Sequence, residues 1–212
     1  TEQAPTIASV GTLDSFNPAT GELIDSVETI LPDSLESIVA ETAAVQGFWS
    51  QLSLRDRAVY MDRAADVLLE EMDDVASLLT SEQGKPHAQA QQEIYGAAGL
   101  AAAQSTLTLD DVVNQDDDTR LSRTRRVPVG VVGGIVPWNF PVMMAIQKIV
   151  PALVAGCTIV LKPSPFTPLT TLRIAELIKD VVPAGTVNII TGEDSLGPMI
   201  TEHPDIDKIT FT

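Results

Sequence analysis

Beyond residue 126 the sequence alternates short apolar runs with helix-length segments, and that rhythm confines the chain to few folds. Apolar runs at 129–136, 158–161, 187–190 and 208–211 predict strands, and the intervening segments 141–155, 168–182 and 195–202 predict helices. Strands joined through helices of this length run parallel, by right-handed crossovers, in a sheet covered on both faces. The expectation is an α/β fold, and such a sheet binds ligands at the carboxyl edge of its strands.

The chain ahead of this segment follows a helical rhythm, from residue 33 to about 108. Asp33 and Ser34 are suited to cap a first helix with Ile38, Val39, Ala43, Val45 and Trp49 on its apolar side. Ser53 precedes a stretch in which Ala58, Met61, Ala65, Val67, Leu68 and Met72 recur at helical spacing, and Gly84 is a stop signal. Pro86 suits the first turn of a further helix, whose face of Ala90, Ile94, Ala97, Ala98 and Ala101 allows close packing. Nearer the start, the segment 16–22 reads as a turn between two short extended pieces, because Asn17-Pro18 and Thr20-Gly21 are turn formers. Asp110, Asp111, Asp116, Asp117 and Asp118, followed by Arg120, Arg123, Arg125 and Arg126, read as a solvated face or short exposed strands.

Charge excludes one large class of function. The 212 residues hold 29 Asp and Glu against 13 Lys and Arg, a formal net charge of −16, whereas nucleic-acid binding needs clustered cations. Such an acidic surface, poor in lysine, also suits a protein that must stay hydrated in high salt. The single cysteine, Cys157, cannot form an internal disulfide and leaves no thiol set for a metal, so no metal site is expected. It lies between Gly156 and an apolar run, which makes it a small core residue rather than a nucleophile. The opening residues lack the basic and apolar parts of a secretory leader, and the apolar stretch 127–155 is interrupted by Gly133, Gly134, Pro137, Asn139 and Pro141. A cytoplasmic protein without a membrane span is expected.

Three strand-to-helix loops can hold chemistry. In Pro137-Trp138-Asn139-Phe140-Pro141, Asn139 is the one polar residue; its carboxamide can donate to an oxyanion but cannot ionise, and it can equally cap the following helix. Lys162 ends the next strand, where it either reaches a phosphate or ribose hydroxyl or is an ordinary exposed lysine. Gly192 opens the third loop, but Pro198 stands where a phosphate loop needs lysine, and Gly130-Val-Val-Gly133-Gly134 lacks the dinucleotide spacing.

Taken in order, Arg126-Val-Pro-Val-Gly-Val131 and Ile135-Val-Pro-Trp-Asn-Phe-Pro141 resemble the signature of the aldehyde dehydrogenase superfamily. Asn17-Pro-Ala-Thr-Gly21, Glu82-Gln-Gly-Lys-Pro86, Pro151-Ala-Leu-Val-Ala-Gly156, Leu161-Lys-Pro163, Val187-Asn-Ile-Ile-Thr-Gly192 and His203-Pro-Asp-Ile-Asp207 agree in order and spacing. The resemblance implies a helical amino-terminal region with short strands and an oligomerisation segment over 1–126, then part of a Rossmann-like NAD(P)-binding sheet over 127–212, the catalytic domain being absent. It also implies oxidation of an aldehyde to a carboxylic acid, through cysteine attack and hydride transfer to NAD or NADP, by a homo-oligomer (dimer or tetramer) when full length. Asn139 then corresponds to the oxyanion donor and Lys162 to a ligand of the adenosine ribose. Ile135, Val136, Pro137 and Trp138 would line the cofactor cleft, and Gly192 would pack near the adenine.

Two departures bear on these implications. Pro165 stands where many members have a ribose-binding glutamate, which removes a repulsion against a 2′-phosphate and leaves both cofactors admissible. Phe211-Thr212 matches the first half of a Phe-Thr-Gly-Ser element, so the chain reads as an amino-terminal portion whose nucleophile and general base lie elsewhere. The alternative is a truncated, non-catalytic chain that binds a nucleotide or pairs with other subunits.

Overall fold

The computed structural model describes residues 9–212; the first eight residues, part of the segment scanned for a leader, lie outside the described residues. A hairpin of β1 (Ser9–Phe16) and β2 (Leu23–Ile30) turns at Asn17–Gly21, where the Asn17 carboxamide accepts the Ala19 N–H at 2.9 Å and Gly21 takes φ +75°. Four helices follow: α1 (Pro32–Gln51), α2 (Leu54–Glu70), α3 (Met72–Gln83) and α4 (His87–Ser105).

Their ends show where local signals succeed. Ser53 and Asp56 form a reciprocal capping box at the start of α2, and Gly84, at φ +84°, stops α3 in the left-handed conformation that only glycine adopts without strain. The Asp33–Ser34 cap does not form. Pro32 occupies the first turn of α1 instead, with Leu31 ahead of it making no side-chain cap and Asp33 left inside the helix. Pro86 likewise precedes α4 rather than entering it. The break between α2 and α3 at Glu71 has no glycine or proline to announce it.

The acidic-then-basic stretch forms the exposed antiparallel pair β3 (Val112–Asp117) and β4 (Arg120–Thr124). Asp117 closes its turn by accepting from the Thr119 N–H and hydroxyl and the Arg120 N–H; these bonds, led by the Thr119 hydroxyl, together with one from the Gln115 carboxamide, hold its carboxyl well below the usual range.

Beyond it stand β5 (Val131–Ile135), α5 (Pro141–Val154), β6 (Thr158–Lys162), α6 (Pro168–Ile178), β7 (Val187–Ile189), α7 (Leu196–Thr201) and β8 (Lys208–Phe211). The four strands form one parallel sheet in the order β7-β6-β5-β8. The expected α/β architecture is thus present, with helices preceding a parallel sheet. β5 is shorter than the apolar run because Gly130, at φ +124°, turns the chain there; a Cβ would lie 1.9 Å from Asp207 Oδ2, the atom that accepts the Val131 N–H at 2.8 Å. Helix α6 ends at Ile178, and 179–181 are turn.

Successive strand residues point to opposite faces, and each face buries its own core. Val132, Ile159 and Leu161 pack with α2 to α6, whereas Val131, Val160 and Ile190 pack with Leu35, Ile38 and Val39 of α1 and Leu196 and Ile200 of α7. The Trp49 indole N–H donates to the Leu153 carbonyl at 3.0 Å, and the buried Arg57 donates to the Val154 carbonyl at 3.0 Å, so the helical segment is tied to the end of α5. Among the described residues no helix is long and apolar enough to cross a membrane.

Candidate active site

The chain steps outward from β5 to β6 to β7 and then returns to the other side of β5 as β8. Neighbouring loops therefore diverge at the carboxyl ends of β5 and β8, and a crevice opens at such a switch point. Here it is a cleft of about 440 Å³ whose lining includes Ile135, Lys162, Asp194, Gly197 and Phe211. Ile135 pairs with Lys162 on one side and Phe211 on the other, so the last residues of three strands meet in it.

Lys162 is not the ordinary exposed lysine that a strand end allows. It is only 3% exposed, and its ammonium donates to the Pro163 carbonyl at 3.2 Å. Burial pushes its pKa below the ordinary lysine value, while the negative charges of Asp194 and Glu193 pull it back up. An ammonium held in this way still has donors free for a ligand's hydroxyl groups.

The other candidates, Val136, Pro137, Trp138, Asn139 and Gly192, lie outside the lining of this cleft. Val136 turns its side chain into the helical core and donates its N–H to the Lys162 carbonyl at 3.1 Å, which links the two loops through the backbone. Pro137 is half-buried, and Trp138 and Asn139 are exposed on the β5–α5 loop. Gly192 is buried at the end of the β7 segment, where a Cβ would come within 2.8 Å of Leu196 Cδ2; its lack of a side chain lets α7 approach.

Asn139 does not cap α5. No side chain near the start of that helix hydrogen-bonds its free amides, and the Asn139 carboxamide has no hydrogen-bond partner among the described residues. The amides of Val142 and Met143 donate instead to Glu93 Oε1 of α4, at 2.9 and 3.1 Å. Glu93 also pairs with Lys85, which donates to the Asn139 carbonyl at 3.1 Å and lies 4.4 Å from the centre of the Phe140 ring. A parallel arrangement serves α6: Glu82 accepts the Leu169 N–H at 2.6 Å and the Thr170 N–H at 2.9 Å. Burial raises the Glu82 pKa although these bonds oppose it.

Glu82, Lys85 and Glu93 were given no role by the sequence reading. A signal for the glutamates was present: Glu82 follows Val75, Ala76 and Leu79, and Glu93 lies between Ala90 and Ala97, each a charged residue within a buried helical stripe. Cys157, by contrast, behaves as read. It is 3% exposed and lies just before β6, at the amino end of the strand whose carboxyl end is Lys162. Five strand residues separate it from the cleft by roughly 16 Å.

The aldehyde dehydrogenase family model matches residues 6–212. The chain belongs to the aldehyde dehydrogenase family. It is 38% identical over 208 residues to a Pseudomonas protein described as "Probable aldehyde dehydrogenase", an overlap of 97% of this chain and 42% of that relative. An NAD-dependent aldehyde dehydrogenase from Sinorhizobium meliloti superposes with a TM-score of 0.91 at 35% identity, over 99% of this chain and 43% of that one. PnpE in complex with nicotinamide adenine dinucleotide gives 0.92 at 34%, over 95% and 42%, and an NADP-dependent enzyme from E. coli gives 0.89 at 34%, over 95% and 43%. The chain spans less than half the length of these relatives.

Proposed function

We propose that this chain is the amino-terminal part of a cytoplasmic, homo-oligomeric enzyme that oxidises aldehydes to carboxylic acids with NAD or NADP, and that it supplies the oxyanion donor and one wall of the cofactor site. The observation behind this reading is the meeting of Ile135, Lys162 and Phe211 in one cleft at the switch point, beside the loop bearing Asn139. In this division of labour, residues 1–126 form the helical and subunit-contact region and 127–212 the beginning of the cofactor domain.

The residues fit the adenosine end of a dinucleotide. The cleft falls within the usual range of ligand pockets, about 300 to 1,000 Å³, and the buried Lys162 ammonium offers charge-assisted hydrogen bonds to ribose hydroxyls. Ile135 and Phe211 give it apolar walls; Pro137 and Trp138 follow on the β5–α5 loop outside the cleft lining, and Val136 takes part through its backbone, its side chain being in the helical core. A dinucleotide held there by Lys162 and the Ile135 and Phe211 walls would supply the hydride acceptor for the oxidation. Asn139 Nδ2 donates to the aldehyde oxygen as a cysteine thiolate from outside this chain attacks the carbonyl, and so stabilises the alkoxide of the thiohemiacetal. The Asn139 amide is uncharged over the whole working pH range, so it holds the oxyanion without giving it a proton. Cys157 takes no part.

The test is a panel of aldehydes offered to the full-length enzyme with NAD and with NADP. One carboxylic acid released per reduced cofactor is the expected stoichiometry; reduced cofactor from no aldehyde in the panel would contradict the reading.

A further inference from the structure

The Asn139 carboxamide has nothing in the described protein to hold it, so its direction is set by the backbone that bears it. That backbone lies in an irregular stretch between β5 and α5, where ladder and helix bonds do not reach: the last ordered bond before it is Val136 N–H to the Lys162 carbonyl, and the next after it is Met144 N–H to the Phe140 carbonyl. Between them, the peptide of Asn139 is bonded by one side chain, the ammonium of Lys85 on its carbonyl oxygen.

Lys85 is well placed to hold it. The Lys85 and Glu93 side chains are 8% and 1% exposed, and their ion pair anchors the ammonium in one position. Glu93 in turn bonds the amides of Val142 and Met143, so the pair grips the chain on both sides of residues 140 and 141. The Phe140 ring against the ammonium adds a third contact, favourable because a ring face attracts a cation. Lys85 follows directly on Gly84, whose left-handed turn directs the chain out of α3 and toward the β5–α5 loop.

We infer that Lys85, fixed by Glu93, is a positioning residue for the oxyanion donor: by binding the Asn139 carbonyl it directs the Asn139 carboxamide at the reacting oxygen. This inference rests on the proposed role of Asn139. It does not require Lys85 to touch substrate or cofactor.

A double-mutant cycle on the full-length enzyme separates this role from plain structural support. Lys85→Met is made with Asn139 intact and again in Asn139→Ala, and the single-turnover rate of hydride transfer is read at saturating cofactor together with the cofactor Kd. With Asn139 present, Lys85→Met should slow the rate at least tenfold and leave the Kd within twofold. In the Asn139→Ala background the same change should cost less than threefold, because the group it positions is gone. Equal slowing in both backgrounds, or none with Asn139 present, overturns the inference and leaves the Asn139 reading standing. An Asn139→Ala enzyme that transfers hydride at the wild-type rate overturns that reading, and the role of Lys85 falls with it. Because Lys85→Met leaves the Glu93 carboxylate buried without its cation, the cycle is repeated with Lys85→Arg, which keeps the charge and displaces the donor. The arginine variant should be slowed at least threefold with Asn139 present and unchanged without it; wild-type rates in both backgrounds would contradict the inference.

Discussion

Lys162 illustrates at the scale of one residue what a buried ammonium costs in stability. An ammonium at the end of an apolar strand, 3% exposed and bonded to a single carbonyl, is poorly compensated. Lys162→Met in the full-length enzyme should therefore be more stable near neutral pH, by on the order of 1 kcal/mol. The same change should weaken cofactor binding by about 1 to 3 kcal/mol, the loss of a charge-assisted hydrogen bond. The pH dependence has a definite sign. Because burial depresses the folded pKa, the unfolded chain binds more protons between that value and the ordinary lysine pKa of about 10.4, so stability rises with pH across the window. Below the folded pKa the full cost is present. The advantage of the methionine variant should thus shrink as pH is raised toward about 10. Denaturant unfolding at both ends of the range and cofactor titration measure these quantities; a methionine variant less stable than wild type at neutral pH, with unchanged cofactor affinity, would contradict the account.

At the scale of elements, α5 and α6 share an unusual beginning. Each has proline in its first turn and no side-chain cap of its own, and each donates its first free amides to a glutamate from the helical segment, Glu93 for α5 and Glu82 for α6. Two amides orphaned by Glu82→Ala should cost roughly 2 to 6 kcal/mol, given about 1 to 3 kcal/mol for each unsatisfied buried donor. Thermal unfolding would show this, and a loss under 0.5 kcal/mol would mean that water replaces the carboxylate. These caps also mark the limit of what the sequence discloses. The alternation of strands and helices beyond residue 126, the Gly84 stop and the exposed strands of the charged stretch were legible, because each depends on residues close in sequence, whereas the break between α2 and α3 at Glu71 was not. The Asp33 cap was misplaced, and although the two glutamates stand out as charges within buried stripes, the amides they cap were not legible, because Glu93 lies 49 residues from the amide of Val142 that it satisfies. Asn139 shows both sides: its loop and polarity single it out locally, while the bond that holds its backbone arrives from Lys85, 54 residues away.

Across the whole molecule, the carboxyl edge of the sheet is apolar and open. Trp138, Phe140, Phe166 and Phe211 are each about half exposed or more, and β8 has a neighbour on one side only among the described strands. An uncovered strand edge beside aromatic surface favours association. The isolated 212-residue chain should therefore self-associate in sedimentation despite its net charge of −16, and a monodisperse monomer that unfolds cooperatively would contradict this. The same edge carries the loop of Asn139, whose proposed role is to donate to the oxyanion formed at a nucleophile held elsewhere. The most direct measurement is the single-turnover rate of hydride transfer by full-length Asn139→Ala at saturating cofactor, with the cofactor Kd taken on the same preparation. Loss of an oxyanion donor is worth about 100- to 1,000-fold in rate, so a fall of at least about 100-fold with an unchanged Kd is expected. Hydride transfer at the wild-type rate would contradict it.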